Sequence, residues 1–346
     1  MKKILIATCL LSALLVSAQE PVQKTGEPFW LGADISWTPE LESKGIVNYT
    51  VDGTPMENTA LMKHLGLNAV RLRVWVNSVN GFNTPQNVLD MALRAQKLGM
   101  AIMIDFHYSD DWADPGHNNI PRAWEGLDVA DVAGKLAEHT SSTLQLLKDN
   151  GVDVKWVQVG NETTNGMTWP IGRMPDHTEN YVMLSNAGYD AVKAIYPEAI
   201  VITHLDDGYN SFLYNYVFNA MRRLGGKFDA IGMSVYPQWS NRNQDSEEAV
   251  TDIVKNINNL AEQFKVPVII VETGVNVNHP EEGYNFLSRL IKAAINDTHG
   301  NCTGVFYWEP EAPHSYNGGY DLGAFENFRP TKIMDAFTEN SKNTDN

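Results

Sequence analysis

Residues 156–162 read WVQVGNE. Trp156, Val157 and Val159 suit a buried strand, Gln158 interrupts them with a polar group, and the run ends on Asn161 and Glu162. A carboxylate at the end of a buried strand is costly unless it is paired or put to use. The chain continues as TTNGMTWP to Pro170, bringing Trp169 to the same corner.

The unit recurs along the chain. Runs rich in β-branched and aromatic residues lie at 30–37 (WLGADISW), 69–76 (AVRLRVWV), 101–109 (AIMIDFHYS) and 156–162. Four more follow at 200–206 (IVITHLD), 229–237 (DAIGMSVYP), 267–274 (PVIIVETG) and 302–309 (CTGVFYWE). Each starts nearly continuously apolar, as parallel strands covered on both faces do. Between them come stretches with helical spacing, such as Val88-Leu89-Ala92-Leu93-Ala95, Leu136-Thr140-Leu144-Leu147 and Leu287-Leu290-Ile291-Ala294-Ile295. Eight strands alternating with helices predict an α/β fold, a single (β/α)8 TIM barrel. A doubly wound open sheet would carry a glycine-rich phosphate turn after an early strand, and there is none.

Composition narrows the function. Lys2 and Lys3 precede the apolar run ILIATCLLSALLV, and Val16-Ser17-Ala18 offers a small-residue cleavage site. Residues 1–18 therefore read as a secretory signal peptide and 19–346 as the catalytic domain of an exported protein, periplasmic, surface-bound or secreted. No other stretch approaches a membrane span. The formal charge of −16 becomes −18 without the leader's two lysines, which disfavours nucleic acid and acidic polysaccharides as partners. Cys9 leaves with the leader and Cys302 alone makes no internal disulfide, so a large core must hold the fold.

Polar residues gather at one end of the strands. Strand two carries Arg71 and Arg73, strand three Asp105 and His107, and strand four Asn161 and Glu162. Strand five ends on His204 and Asp206, six on Tyr236, seven on Glu272, and eight on Trp308 and Glu309. In a barrel that end is where catalytic groups project. Glu162 and Glu272 come from strands four and seven, which face each other across the mouth. Paired carboxylates there are the equipment of glycoside hydrolysis, one protonating the leaving oxygen and the other attacking the anomeric carbon about 5 Å away in a retaining enzyme. Arg71 beside Glu272 would keep it ionised, while Glu162 needs a raised pKa to act as acid. Trp75, Trp112, Trp169, Trp239 and Trp308 fall near the same ends and offer faces for sugar rings; Trp30 and Trp156 read as core. Asp110 and Asp111 directly precede Trp112 in HYSDDWADPG as candidate hydroxyl-binding groups. With neither an H-x-H on strand one nor an H-E-x-x-H, no metal or other cofactor is expected.

GADISWTPELESKG, VRLRVW, DFHYSDDWADPG, VQVGNE with GMTWPIG, SVYPQW, VETG and YWEP together resemble the family-53 glycoside hydrolases, endo-β-1,4-galactanases of clan A, over residues 30–337. The resemblance implies a retaining enzyme acting on β-1,4-galactan and galacto-oligosaccharides. The chain is expected to be a monomer. It implies Glu162 as acid/base, Glu272 as nucleophile, and Tyr236 and Arg71 as the nucleophile's supports. It places Asn161 at the sugar 2-hydroxyl and Trp308 under the cleavage subsite. Two departures stand out. Ala312 in YWEPEA replaces an aromatic of many relatives, and VETGVNVNHPEEG omits the Asp- and His-rich calcium loop of some bacterial ones.

Overall fold

The protein is described by a computed structural model covering residues 27–239 and 246–343. The leader reading at 1–18, with Cys9, lies outside the described residues. All eight expected strands form: β1 (Trp30–Asp34), β2 (Ala69–Val74), β3 (Ala101–Phe106), β4 (Trp156–Val159), β5 (Ile200–Leu205), β6 (Ala230–Val235), β7 (Val268–Thr273) and β8 (Cys302–Trp308). They close into one parallel barrel in chain order, β8 pairing back onto β1. Each strand ends before its sequence run does, where the chain turns into the loops of the mouth.

The helices α1 (Asn58–His64), α2 (Pro85–Lys97), α3 (Val129–Asp149), α4 (Thr178–Ile195), α5 (Ser211–Arg223), α6 (Ser246–Phe264), α7 (Pro280–Asn296) and α8 (Asp335–Asn340) alternate with the strands. Their starts are chemically marked. Thr84 accepts from the backbone N–H of Asn87 while the Asn87 side chain returns to the Thr84 backbone, and Asp128 accepts from the N–H of Asp131. Both arrangements satisfy donors that a helix start leaves without partners.

Period-two alternation assigns the strand residues to two cores. In β2, Val70, Leu72 and Val74 join the large apolar layer between strands and helices, while Ala69 belongs to a smaller cluster. That cluster, Ala69, Met103, Trp156, Ile202, Ala230, Ile269, Val271 and Phe306, plugs the lower barrel. Above the plug, on the same inward face, come Asp34, Arg71, Arg73, Asp105, Gln158 and His204, all buried. Gln158 is therefore no flaw in an apolar strand; it is the inward residue one layer above Trp156. After β7 the chain reaches α7 within six residues.

Candidate active site

Glu162 is aimed by its backbone. Gly160 has φ +90°, and a Cβ there would stand 2.5 Å from the Thr163 methyl. Glu162 itself adopts φ 44°, ψ 52°, a left-handed conformation unfavourable for a residue with a Cβ. The double turn lifts its carboxyl off β4 into a cleft of about 510 Å³ at the barrel mouth. Glu272, at the end of β7, lines the same cleft, together with Trp112, Asn161, Asp206, Ser234, Tyr236, Trp239 and Trp308.

Different neighbours divide the two glutamates. Arg71 is fully buried, with Nη2 2.8 Å from Glu272 Oε1 and 2.9 Å from Asp105, and Nη1 2.7 Å from Asp34. Its Nε donates to Gln158 at 2.7 Å and Nη2 to Asn161 Oδ1 at 2.7 Å. Tyr236 donates its hydroxyl to Glu272 Oε2 at 3.2 Å. Burial raises Glu272, Arg71 offsets part of that, and the carboxyl is pushed up to about 7. The sequence reading had Arg71 serving Glu272; in the structure Asp34 and Asp105 share the same guanidinium, and their charges add to the burial that keeps Glu272 above the usual range. For Asp105 burial also opposes the charge, but Arg71 and then His107 prevail and hold it down at about 2.

Among the described residues no cation pairs with Glu162. Burial, then the charges of Glu272 and Asp206, raise it well above the ordinary carboxyl range. When one proton is shared between the two glutamates, Glu162 holds it and Glu272, beside Arg71, stays charged. This is the division of roles between a proton donor and a nucleophile.

The remaining predicted residues sort by contact. The Trp112 ring lies over the buried Arg73 guanidinium, 4.4 Å from centroid to Cζ, and Arg73 in turn pairs with Glu309 at 3.2 Å. Trp308 stands edge-on to Trp112 and Trp37. Trp239 is 63% exposed at the rim, and Asp206 accepts from the Thr164 hydroxyl. His107 borders the cleft with both nitrogens engaged: Nε2 meets Asp105 at 3.0 Å, and Nδ1 accepts from the Ala113 N–H at 3.1 Å. Asp110 and Asp111 do not line the cleft. Asp110 accepts from the N–H groups of Asn77 and Arg122, and Asp111 from Ser109, so these carboxylates shape the loop that presents Trp112. His204 is wholly buried behind Glu162 and does not line the cleft either. Trp75 is buried beneath Trp112, and Trp169 bonds Asn165 outside the cleft. Ala312 is buried against Trp37 and Leu41, while Tyr320, unremarked in the sequence, lines the cleft beside Trp308. Asp34, Gln158 and Ser234 were also missed; the signal was their period-two spacing with Ser36, Trp156 and Tyr236, which places each on an inward face.

A (β/α)8 barrel whose mouth holds two carboxyls in contrasting environments defines a glycoside hydrolase of the two-carboxylate class. The model for glycosyl hydrolase family 53 matches residues 30–342, and the chain belongs to that family. It is 32% identical over 305 residues to an Aspergillus fumigatus protein named "Probable arabinogalactan endo-beta-1,4-galactanase A", covering 81% of this chain and 83% of that one. It is 29% identical to the arabinogalactan endo-β-1,4-galactanase of Humicola insolens, over 87% of this chain and 95% of that one. Among solved structures, a fungal β-1,4-galactanase superposes with a TM-score of 0.81 at 26% identity, over 90% of this chain and 99% of that one. The family-53 catalytic domain from Ignisphaera aggregans also gives 0.81, at 24% identity over 92% and 98% of the two chains.

Proposed function

We propose that this chain is an endo-acting, retaining hydrolase of β-1,4-galactosidic bonds in galactan, including the arabinogalactan side chains of pectin. The carboxyl pair carries the chemistry: Glu162, with no cation among the described residues, and Glu272 against Arg71, both on one cleft. The names of the family relatives support galactan as substrate.

In the first step the charged carboxylate of Glu272 bonds to the anomeric carbon. The bond to the leaving oxygen breaks with its electron pair going to oxygen, and Glu162 delivers its proton there. In the second step water attacks the same carbon from the opposite face, Glu162 takes the water's proton, and the bond to Glu272 breaks. Two inversions leave the β configuration. Arg71 and Tyr236 hold Glu272 for attack, Asn161 faces the 2-hydroxyl, Trp308 floors the subsite at the scissile bond, and Trp112, Trp239 and Asp206 bind along the chain. His107 orients through Asp105. The proposed setting is outside the cytoplasm, on the strength of the leader-like residues 1–18.

Reducing-sugar release from purified galactan, mannan and cellulose tests the substrate. Galactan should be cleaved about 100-fold faster than the others, since a site built around one hydroxyl pattern leaves polar groups unpaired on another. Faster cleavage of mannan or cellulose would overturn the assignment.

A further inference from the structure

One oxygen of Glu162 is already taken. Ser234, near the end of β6, donates its hydroxyl to Glu162 Oε1 at 2.5 Å, the short bond an O–H makes to a carboxylate. Among the described residues nothing donates to Oε2, and the side chain lines the cleft. The pairing of β6 with β7 shifts register between Met233 and Ser234, so that Ser234 stands opposite Glu272. The extra residue is Val271 of β7, so the bulge turns Glu272 toward the mouth beside Ser234, which keeps the regular alternation of β6.

Behind Ser234 lies His204, with Nε2 2.9 Å from the serine oxygen. Its Nδ1 accepts the backbone N–H of Glu162 at 3.3 Å and faces Gln158 Nε2 at 3.0 Å. Two donors on Nδ1 leave the ring proton on Nε2, the tautomer that donates to Ser234. Asn161 Oδ1 also stands 3.0 Å from Nδ1, but it already accepts from Arg71. Burial, and then Arg71, hold the imidazole well below its ordinary range, so it is neutral. A single ring thus secures Glu162 twice: its left-handed main chain directly, and its carboxyl through Ser234.

We propose that Ser234, oriented by His204, is a positioning residue for proton transfer: it occupies Oε1 of Glu162, so that the mobile proton is carried on Oε2, the oxygen left to the cleft. The inference rests on Glu162 being the acid/base. In the first step Oε2–H protonates the leaving oxygen, and in the second Oε2 takes the proton of the attacking water. Ser234 keeps its hydroxyl on Oε1 throughout, and no proton passes through it or through His204. The bond is stronger to the carboxylate than to the acid, so Ser234 favours the charged form. The other titratable groups facing Glu162 are Glu272, Asp206 and Asp114, with Tyr236, Tyr214 and the neutral His204. Among the described residues, no other side chain donates to Oε1.

Ser234→Ala removes one oxygen. On galactan its kcat/KM should fall roughly 10- to 100-fold, a part of what general acid catalysis contributes. On an aryl β-galactoside, whose phenolate needs no proton, the fall should be less than about threefold. The alkaline limb of kcat/KM should move to higher pH, because the lost hydroxyl favoured the ionised carboxyl. In a Glu162→Ala background, where the hydroxyl has nothing to position, Ser234→Ala should change the azide-rescued rate less than about twofold. Equal losses on both substrates, an unmoved alkaline limb, or a further tenfold-order loss in the double variant would overturn the proposal. Wild-type protein that ignores galactan but cuts another β-glycan would refute the substrate reading alone, and the same variants would then be compared on that glycan.

Discussion

Trp156 and Glu162 sit six residues apart, at the bottom and the top of the same barrel wall. Below, Trp156 packs edge-on against Phe306 at 6.0 Å between ring centres, and Gly32 makes room for the phenyl ring, since a Cβ there would stand 2.2 Å from Phe306 Cδ1. Above, Asp34, Arg71, Arg73, Asp105, Glu272 and Glu309 are buried just as deeply. Burial is the same at both ends; its sign is not. The lower plug gains roughly 25 cal/mol for each Å² of apolar surface removed from water. The upper layer opposes folding wherever a charge lacks a partner. Among the described residues, six buried carboxyls (Asp34, Asp105, Glu162, Glu272, Glu309 and Glu311) face two buried guanidinium groups, Arg71 and Arg73. Burial first, and the neighbouring acidic charges after it, hold Glu162 and Glu309 well above the ordinary range and raise Glu311 to about 8. Stability is made at the bottom and reactivity at the top.

Substitutions at the two ends should therefore separate activity from stability. The largest effect belongs to Glu272→Ala, which should lower kcat by about 10⁴-fold or more because no glycosyl-enzyme can form. Its melting temperature should change little, since Asp34 and Asp105 still pair Arg71. Azide should restore turnover in Glu272→Ala with an α-glycosyl azide as product, and in Glu162→Ala with a β-glycosyl azide. The reverse stereochemistry, read by NMR of the products, would mean that the two carboxyls have exchanged roles.

Phe306→Ala probes the other end. Emptying the plug should cost about 3–5 kcal/mol of unfolding free energy in a denaturant titration. The kcat/KM of the folded fraction should stay within about threefold of wild type. A loss of activity as large as the loss of stability would mean that the two layers are mechanically coupled.

The smallest effect concerns Tyr236→Phe. Glu272, pushed up to about 7, must be ionised to attack, so activity falls as pH drops through its pKa. The Tyr236 hydroxyl donates to that carboxylate and lowers its pKa. Removing a hydrogen bond worth about 1 kcal/mol should shift the acid limb of kcat/KM to higher pH by less than about one unit. An acid limb that moves down would show that Tyr236 acts on a different group.

The strands, their order and the glutamate pair were legible because each leaves a local mark: an apolar run, an alternation with helices, or a carboxyl where the apolar run stops. Other site residues leave no such mark. Ser234 is a small residue inside AIGMSV and passes for ordinary strand filling. Gln158 looked like an interruption because its meaning depends on which face of β4 turns inward. Asp110 and Asp111 have the composition of sugar-binding groups, yet their oxygens accept from loop backbone and Ser109. His204 stands at a strand end like the cleft residues, but Ser234 and Glu162 lie between it and the opening.

By itself, then, the amino-acid sequence determined the barrel, the end at which polar groups collect and the pair of glutamates proposed to react, because these follow from periodicity and from the cost of burying charge. Only the tertiary structure decided how those groups are shared. Closing eight strands brings Arg71 to three carboxylates at once, and the turn at Gly160–Glu162 brings Glu162 to the hydroxyl of Ser234, with no cation paired to it among the described residues. Partners such as Arg71 and Glu272, or Ser234 and Glu162, are far apart in the chain. Their distances of a few ångströms arise only when the sheet closes on itself, and no local pattern encodes them.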